Sequence, residues 1–246
     1  MSAAITFDTD WAPDYAIQLA VEIVASRGIK TTWFVTHDSP QIRALRANPD
    51  LFEVGIHPNF MPGSSHGDRP ERVLDACMQL VPDAVSMRTH GLVQSSALLD
   101  IVLHRTNMRY DVSLFCPLVH NLQVVDYVRF GRRLRRIPYF WEEDYAMEYP
   151  AHPDANPELW NPRALLEGGR GVQVFNFHPI HVFLNSATMG AYKGLKAKHP
   201  ALGEAPAGSA SEFINQTGRG TRIFLEELAE MSVARGGTFI RELGEA

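Results

Sequence analysis

The sequence predicts an α/β fold in which strands and helices alternate within one domain, residues 1–246. Three observations favour it. Short apolar, β-branched segments recur along the chain, and amphipathic segments with helical periodicity separate several of them. The 18 glycines and 16 prolines are spread without low complexity, as the many turns of such a fold require. With 45% hydrophobic residues over 246 positions, the chain can build one sizeable core.

Eight segments are predicted to be buried strands because each is a short run of apolar, often β-branched or aromatic residues. They are residues 3–7, 31–35, 52–57, 84–88, 110–115, 124–130, 172–177 and 238–243. Four longer amphipathic segments are predicted helices: residues 13–27, 70–80, 95–105 and 212–235. The first of these has Pro13 in its first turn and stops at Gly28, which matches the start and stop rules for helices. Apart from the strand at 124–130, residues 117–162 show no single period and their details are left open.

Polar side chains follow the predicted strands at the points where the strands end. They are Asp8 and Asp10 after the first strand, His57 after the third, Arg88 and His90 after the fourth, and His178 and His181 after the seventh. In a parallel barrel the carboxyl ends of the strands meet on one face, where active sites are built. The sequence therefore predicts that these residues converge.

The segment F-D-T-D places two carboxylates two residues apart. If the strand continues through them, Asp8 and Asp10 point the same way and can share a metal site. A helix N-cap or a turn before Pro13 is the alternative, because aspartate favours both.

Two histidines lie in the segment E-V-G-I-H-P-N-F-M-P-G-S-S-H-G. His57 ends a strand, and His66 follows in a loop rich in Gly, Pro and Ser that can fold back. Imidazole suits zinc and neighbouring metals. Two surface-loop histidines remain the alternative.

The apolar run V-F-N-F ends in His178, with His181 three residues later. A histidine with a pKa near 6.5 can protonate a leaving group at neutral pH, although a buried histidine bonded to backbone is equally compatible. Arg88 is expected to pair with a carboxylate and keep it ionised, or else to lie at a strand end on the surface. His90, Trp141, Asp144 and His181 are candidate substrate contacts, with a core position as the alternative for Trp141.

Composition disfavours several functional classes. The formal net charge of −5 gives no overall field for nucleic acid. The one basic cluster, Arg132, Arg133, Arg135 and Arg136, is a solvated edge or a contact for a phosphate or carboxylate. Cys77 and Cys116 form no C-x-x-C pair, so the sequence indicates neither a disulfide framework nor a cysteine zinc site. With neither a signal-like N-terminus nor an apolar run long enough to span a membrane, a cytoplasmic location is expected.

Five segments, T-F-D-T-D, E-V-G-I-H, M-R-T-H-G-L, V-F-N-F-H and A-R-G-G-T-F-I, occur in an order that resembles the polysaccharide deacetylases with the NodB homology domain, carbohydrate esterase family four. The resemblance implies a distorted (β/α) barrel of about seven strands. It implies Asp8 as catalytic base, His178 as general acid, and Asp10 with His57 as metal ligands. The family's second histidine ligand follows the first more closely than His66 follows His57, so His66 would come from a longer loop. Arg88 matches the family's arginine, although R-T-H-G lacks the usual proline and aromatic residue.

The segments H-P-N-F…G-S-S-H and F-H-P-I-H are similar to a branch linked to bacterial surface-polysaccharide or O-antigen synthesis. The function implied is metal-dependent removal of an acetyl or formyl group from an N-acylated amino sugar, which could be nucleotide- or lipid-linked. The implied ion is divalent, with zinc favoured over cobalt, nickel or manganese. Two alternatives stay open: a catalytically silent carbohydrate- or metal-binding domain, and a metal-dependent hydrolase of a non-sugar amide or a phosphoester.

Overall fold

The protein, here a computed structural model that describes residues 3–148, 157–168, 171–216 and 218–245, is built around one curled sheet of nine strands. The strands are β1 Ala3–Asp8, β2 Thr31–Val35, β3 Phe52–Ile56, β4 Ser86–Met87, β5 Tyr110–Asp111, β6 Val125–Arg129, β7 Arg132–Arg136, β8 Trp141–Glu142 and β9 Gln173–Phe177. Their order across the sheet is β6-β7-β5-β4-β3-β2-β1-β9-β8. All neighbouring pairs are parallel except β6 and β7, which form an antiparallel hairpin at one edge. The predicted α/β fold, an incomplete and distorted barrel, is confirmed.

Helices pack around the sheet. They are α1 Asp14–Ala25, α2 Pro40–Arg46, α3 Pro70–Leu80, α4 Ser96–Arg105, α5 Glu143–Glu148, α6 Pro162–Gly168, α7 Pro179–Leu184, α8 Met189–Lys198, α9 Ala207–Ser211, α10 Thr221–Ser232 and α11 Ile240–Glu245. In the described part of the chain, no helix has the length and apolar character needed to cross a membrane.

The two faces of β1 show how the sheet separates the core from the site. Ala3, Ile5 and Phe7 belong to the large apolar core under the helices. Ala4 belongs to a second, smaller cluster inside the curl of the sheet. Because side chains alternate along a strand, Thr6 and Asp8 share the inner face with Ala4. The concave side of the barrel is therefore apolar at its base and polar at the carboxyl ends of the strands.

Two predicted elements were wrong. Residues 238–243 were expected to form a strand, but the chain forms helix α11 there. Buried acceptors stabilise that helix start, because Thr32 Oγ1 and Glu53 Oε2 accept the backbone N–H groups of Ile240 and Arg241 at 3.0 Å each.

The helix expected over 212–235 begins only at Thr221. Gly220 stands before it, packed so closely that an added Cβ would lie 2.1 Å from the Asn185 carbonyl oxygen. The unassigned stretch supplied the two extra strands, β7 and β8. The hairpin strand β6 is largely exposed rather than buried, with Val128 at 59%.

Candidate active site

The turn after β1 brings Asp10 over the carboxyl ends of the strands. The strand ends at Asp8, and both Asp10 (φ 44°) and Trp11 (φ 53°) adopt the left-handed conformation. Thr36 Oγ1 accepts the Trp11 N–H at 2.9 Å and holds this turn in place. The expected strand continuation was therefore wrong, although both carboxylates still reach one pocket. Of the two alternatives, the turn is confirmed, since the chain turns at Asp10 and Trp11, whereas the N-cap is wrong because α1 begins after Pro13 without a side-chain cap.

Asp8 lies in a buried polar network inside the barrel. Its Oδ1 accepts a hydrogen bond from Arg88 Nη1 at 3.0 Å, and its Oδ2 accepts one from Asn176 Nδ2 at 2.9 Å. Asp8 is 4% exposed and Arg88 is fully buried. Arg88 thus pairs with a carboxylate as expected, which is how a buried guanidinium avoids an unpaired charge.

Arg88 is held from several sides. Its Nε donates to the Val112 carbonyl and its Nη2 to Thr6 Oγ1, both at 3.0 Å. The guanidinium carbon lies 4.8 Å from the ring centre of Phe34 and 4.4 Å from that of Tyr139. These contacts fix the position from which Arg88 approaches Asp8.

Asp10, His57 and His90 each offer one ligand atom, and these atoms all lie within 4.8 Å of one another. Asp10 Oδ1 is 3.1 Å from His57 Nε2 and 3.0 Å from His90 Nδ1. His57 Nδ1 donates to the Arg88 carbonyl at 2.7 Å, which leaves Nε2 facing the group. Burial raises the pKa of the Asp10 carboxyl, but the hydrogen bonds from both histidines outweigh this and hold it well below its usual range.

His66 does not join this group. Its Nε2 donates to the Thr36 carbonyl at 2.6 Å, and its Nδ1 accepts the Asn59 N–H at 3.2 Å. The Trp11 ring contacts both His66 and His90, with its centre 5.4 Å from each imidazole centre. Both nitrogens of His66 therefore serve the loop, so the geometry contradicts the expectation that His66 is a ligand and brings in His90 instead.

His178 lies at the end of β9, backed by a buried carboxylate. Glu143, which is fully buried, accepts hydrogen bonds through Oε1 from the backbone N–H of His178 and from its Nδ1, the latter at 3.0 Å. The other ring nitrogen, Nε2, lies 3.7 Å from Asp10 Oδ2. Burial lowers the pKa of His178, but the charges of Glu143 and Asp144 dominate and raise it well above its ordinary value.

The other three expected substrate contacts have different surroundings. Asp144 lines the pocket. His181 is 2% exposed, lies 3.1 Å from Asp144 Oδ1 through Nε2, and contacts Ser186 Oγ through Nδ1. His181 therefore lies behind Asp144 rather than among the pocket-lining residues.

Trp141 is a correction. It is 1% exposed, stacks on Phe224 at 4.1 Å and donates its indole N–H to the Leu159 carbonyl. With its face and its polar atom both used in the core, it offers no surface to a sugar.

These residues surround a cavity of about 260 Å³ at the carboxyl ends of the strands. Its lining consists of Asp8, Asp10, His57, Thr89, His90, Gly91, Leu92, Tyr139, Glu142, Asp144 and His178. Tyr139 donates its hydroxyl to Glu142 Oε2 at 2.9 Å. Burial raises the pKa of the Glu142 carboxyl to about 7. The pocket thus combines carboxylates and imidazoles in several protonation environments, which is the chemistry of acid–base hydrolysis.

Sequence reasoning missed Asn176 and Glu143, and only Asn176 had a signal that could have revealed its position. Asn176 is the only polar residue inside the apolar run V-F-N-F and lies two residues before His178, on the same face of the strand. Glu143 belongs to the acidic trio E-E-D, but nothing local indicates that its side chain turns into the core behind His178.

A family model described as "WbmS-like: Polysaccharide deacetylase" matches residues 5–196. The crystal structure of a Bordetella bronchiseptica protein assigned as a polysaccharide deacetylase involved in O-antigen biosynthesis is 32% identical in sequence. The match covers 94% of this chain and 90% of that one, with a TM-score of 0.77.

Two more distant structures share the fold, each with a TM-score of 0.50. One is a family 4 acetyl xylan esterase from Clostridium thermocellum in complex with a cobalt ion, 14% identical, over 98% of this chain and 89% of that one. The other is a family 4 carbohydrate esterase from Streptomyces lividans in complex with acetate, 11% identical, over 97% and 91%. No curated protein sequence gives a significant match.

Proposed function

The chain belongs to the WbmS-like family of polysaccharide deacetylases, and we propose that it removes an N-acyl group, acetyl or formyl, from an amino sugar by metal-dependent hydrolysis. One observation carries the proposal. A single pocket combines a buried, arginine-paired carboxylate (Asp8), a group of potential metal ligands and a histidine backed by a carboxylate (His178). Amide hydrolysis needs such a base, such an electrophilic centre and such an acid.

The donor atoms of Asp10, His57 and His90 fit a divalent ion. One carboxylate oxygen and two imidazole nitrogens form a ligand set that zinc accepts, and three protein ligands leave positions open. Zinc is therefore our proposed ion. Bound there, it would supply a lowered pKa for a coordinated water and polarisation of the acyl carbonyl.

Asp8 is the proposed general base. Its carboxylate lines the pocket while Arg88 donates to one of its oxygens, so the carboxylate is oriented by a neighbour of opposite charge. In this role Asp8 accepts the proton of the attacking water.

His178 is the proposed general acid. Glu143 accepts from Nδ1, which directs Nε2 towards the pocket, and the negative charges of Glu143 and Asp144 raise the pKa of His178 and so favour the protonated ring. An amide needs this donor because an unprotonated amide anion is a very poor leaving group. The proton on Nε2 then goes to the departing sugar amine.

A role in O-antigen or other surface-polysaccharide synthesis is part of the proposal, supported by the description of the Bordetella relative. A nucleotide- or lipid-linked amino sugar is the proposed substrate form. Two further expectations, a single domain over residues 1–246 and a cytoplasmic location, stay predictions.

The test is a deacylation screen by mass spectrometry on zinc-loaded protein. The panel contains N-acetylated and N-formylated amino sugars, a non-sugar acetamide and a phosphoester. We expect acyl release from amino sugars, abolished by a chelator and restored by zinc. Preferential hydrolysis of the non-sugar amide or the phosphoester would contradict the proposal, as would binding of sugars without any hydrolysis.

A further inference from the structure

Asn176 lies on the inner face of β9, fully buried, directly opposite Thr6 of β1 in the sheet register. Its amide bridges the two charged groups of the network. Oδ1 accepts hydrogen bonds from Arg88 Nη1 and from Thr6 Oγ1, the latter at 3.0 Å. Nδ2 donates to Asp8 Oδ2 at 2.9 Å. The amide therefore touches the proposed base on one side and the arginine that pairs with it on the other.

The orientation of this amide is determined by its partners. Arg88 can only donate hydrogen bonds, so the oxygen of Asn176 must face it. If the amide were flipped, its NH₂ group would point at the guanidinium and its oxygen at the Asp8 carboxylate, and both contacts would become repulsive. The Asn176 NH₂ group is thus committed to Asp8.

The result is a carboxylate held at both oxygens by different partners. Arg88 fixes Oδ1 and supplies charge, while Asn176 fixes Oδ2 and supplies none. With Arg88 alone, the carboxylate could rotate about its terminal bond, a torsion whose preference is broad. With both partners the plane of the carboxylate is set.

We infer that Asn176 is a positioning residue for the base: it fixes the plane of the Asp8 carboxylate so that its free lone pairs face the pocket. This inference rests on the proposed hydrolysis, in which Asp8 accepts the proton of the attacking water. It assigns a reaction-related task to a residue that belongs neither to the group of potential metal ligands nor to the pocket lining, and that acts through its contact with Asp8.

The main test is a double-mutant cycle between Asn176→Leu and Asp8→Asn on zinc-loaded protein. Leucine approximates the shape of asparagine but cannot donate. Asn176→Leu alone should lower kcat by about 10- to 100-fold with KM nearly unchanged, because a misplaced catalytic group costs about that much. In the Asp8→Asn background the same change should alter the remaining kcat by less than about twofold, because an effect that acts only through Asp8 disappears with it.

Gln173→Leu is the matched control. Gln173 is also a buried amide on β9, but it donates to the carbonyls of Leu165 and Leu166, away from Asp8. If losing a buried amide from β9 has a general cost, Gln173→Leu should lower kcat by the same factor in the wild-type and in the Asp8→Asn background. Equal factors for Asn176→Leu in both backgrounds would overturn the inference, as would a rise in KM without a fall in kcat.

A crystal structure of Asn176→Leu gives a readout that needs no activity. The carboxylate of Asp8 should rotate away from its original plane; an unchanged plane overturns the inference. If wild-type protein hydrolyses no substrate, the proposed function fails while this structure still decides the positioning role. If Asn176→Leu does not fold, Asn176→Ser replaces it in every experiment. Serine is smaller than asparagine and too short to make the hydrogen bond that the amide makes to Asp8.

Discussion

Two histidines of the pocket differ in the group that hydrogen-bonds to their Nδ1 atoms. His57, after β3, donates its Nδ1 proton to the backbone carbonyl of Arg88 at 2.7 Å. His178, after β9, contacts the carboxylate of Glu143 with its Nδ1 at 3.0 Å. Both rings then present Nε2 to Asp10, at 3.1 and 3.7 Å.

The difference lies in the charge of the backing group. A carbonyl fixes the tautomer of His57 without adding a negative charge, which suits a neutral ring that gives its lone pair to a metal. The carboxylate behind His178 stabilises the protonated ring and raises its pKa. The same side chain is thus prepared as a ligand on one side of the pocket and as a proton donor on the other.

The largest expected effect separates the two sides by metal content. His57→Ala should lose its bound zinc, with affinity more than about 100-fold weaker, because even loss of an outer-shell partner costs about 10- to 100-fold. Asp8→Asn should keep its zinc while losing activity. Zinc measured by mass spectrometry on chelator-free protein checks this. Equal metal loss in both variants would make Asp8 a ligand rather than a base.

On the other side, His178→Ala should keep zinc and lower kcat by about 10²–10⁴-fold, the usual contribution of a proton donor. The loss should shrink on an ester or an activated amide, whose leaving group needs less protonation. His181→Ala is the matched control. A larger, leaving-group-dependent loss in His181→Ala would mean that the wrong histidine is assigned as the acid.

Glu143→Gln tests the backing group itself. Loss of the Glu143 charge should reduce kcat by roughly 10- to 100-fold, which is the effect expected from removing a residue that orients a functional group. The acid acts when protonated, so activity is present below the pKa of His178 and lost as the pH rises through it. Without the Glu143 charge that pKa falls, and the alkaline limb of the pH–rate profile should move to lower pH. An unmoved alkaline limb would show that Glu143 only supports the fold.

The smallest effect is expected for His66→Ala. Both ring nitrogens of His66 contact the surrounding loops, so the variant should lose about 1–3 kcal/mol of stability, the cost of leaving buried polar groups unpaired. Its zinc affinity should stay within about threefold of wild type, well short of the roughly 10- to 100-fold loss expected when a residue that orients a metal ligand is removed. Thermal unfolding and zinc titration measure the two quantities. Zinc loss in His66→Ala with retention in His90→Ala would reverse our ligand assignment.

The sequence predicted which strand ends carry polar groups, and hence that Asp8, His57, Arg88 and His178 would lie together. This succeeded because strand periodicity and the parallel arrangement place strand ends on one face. The choice between His66 and His90 could not be made the same way. It depends on a turn that holds Asp10 in the left-handed conformation beside His90, with the Trp11 ring in contact with both histidines.

The predictions for the segment of helix α11 and for Trp141 were wrong for a related reason. The segment of α11 has the composition of a strand, but Thr32 and Glu53, far away in sequence, accept its first N–H groups. The position of Trp141 is likewise decided by a residue remote in sequence, because Phe224 on helix α10 stacks on its ring. In both cases residues remote in sequence determine the structure, and they cannot be identified from the local segment alone.

We propose that Asp10, His57 and His90 hold a divalent ion, which leaves His178 free to act as the acid. A crystal structure of zinc-loaded protein, with data collected at the zinc absorption edge, tests this most directly. We expect one anomalous peak between the Asp10 carboxylate and the rings of His57 and His90, with His178 still hydrogen-bonded to Glu143. A peak at His66, or one bound by Glu143, Asp144 and His178, would contradict it.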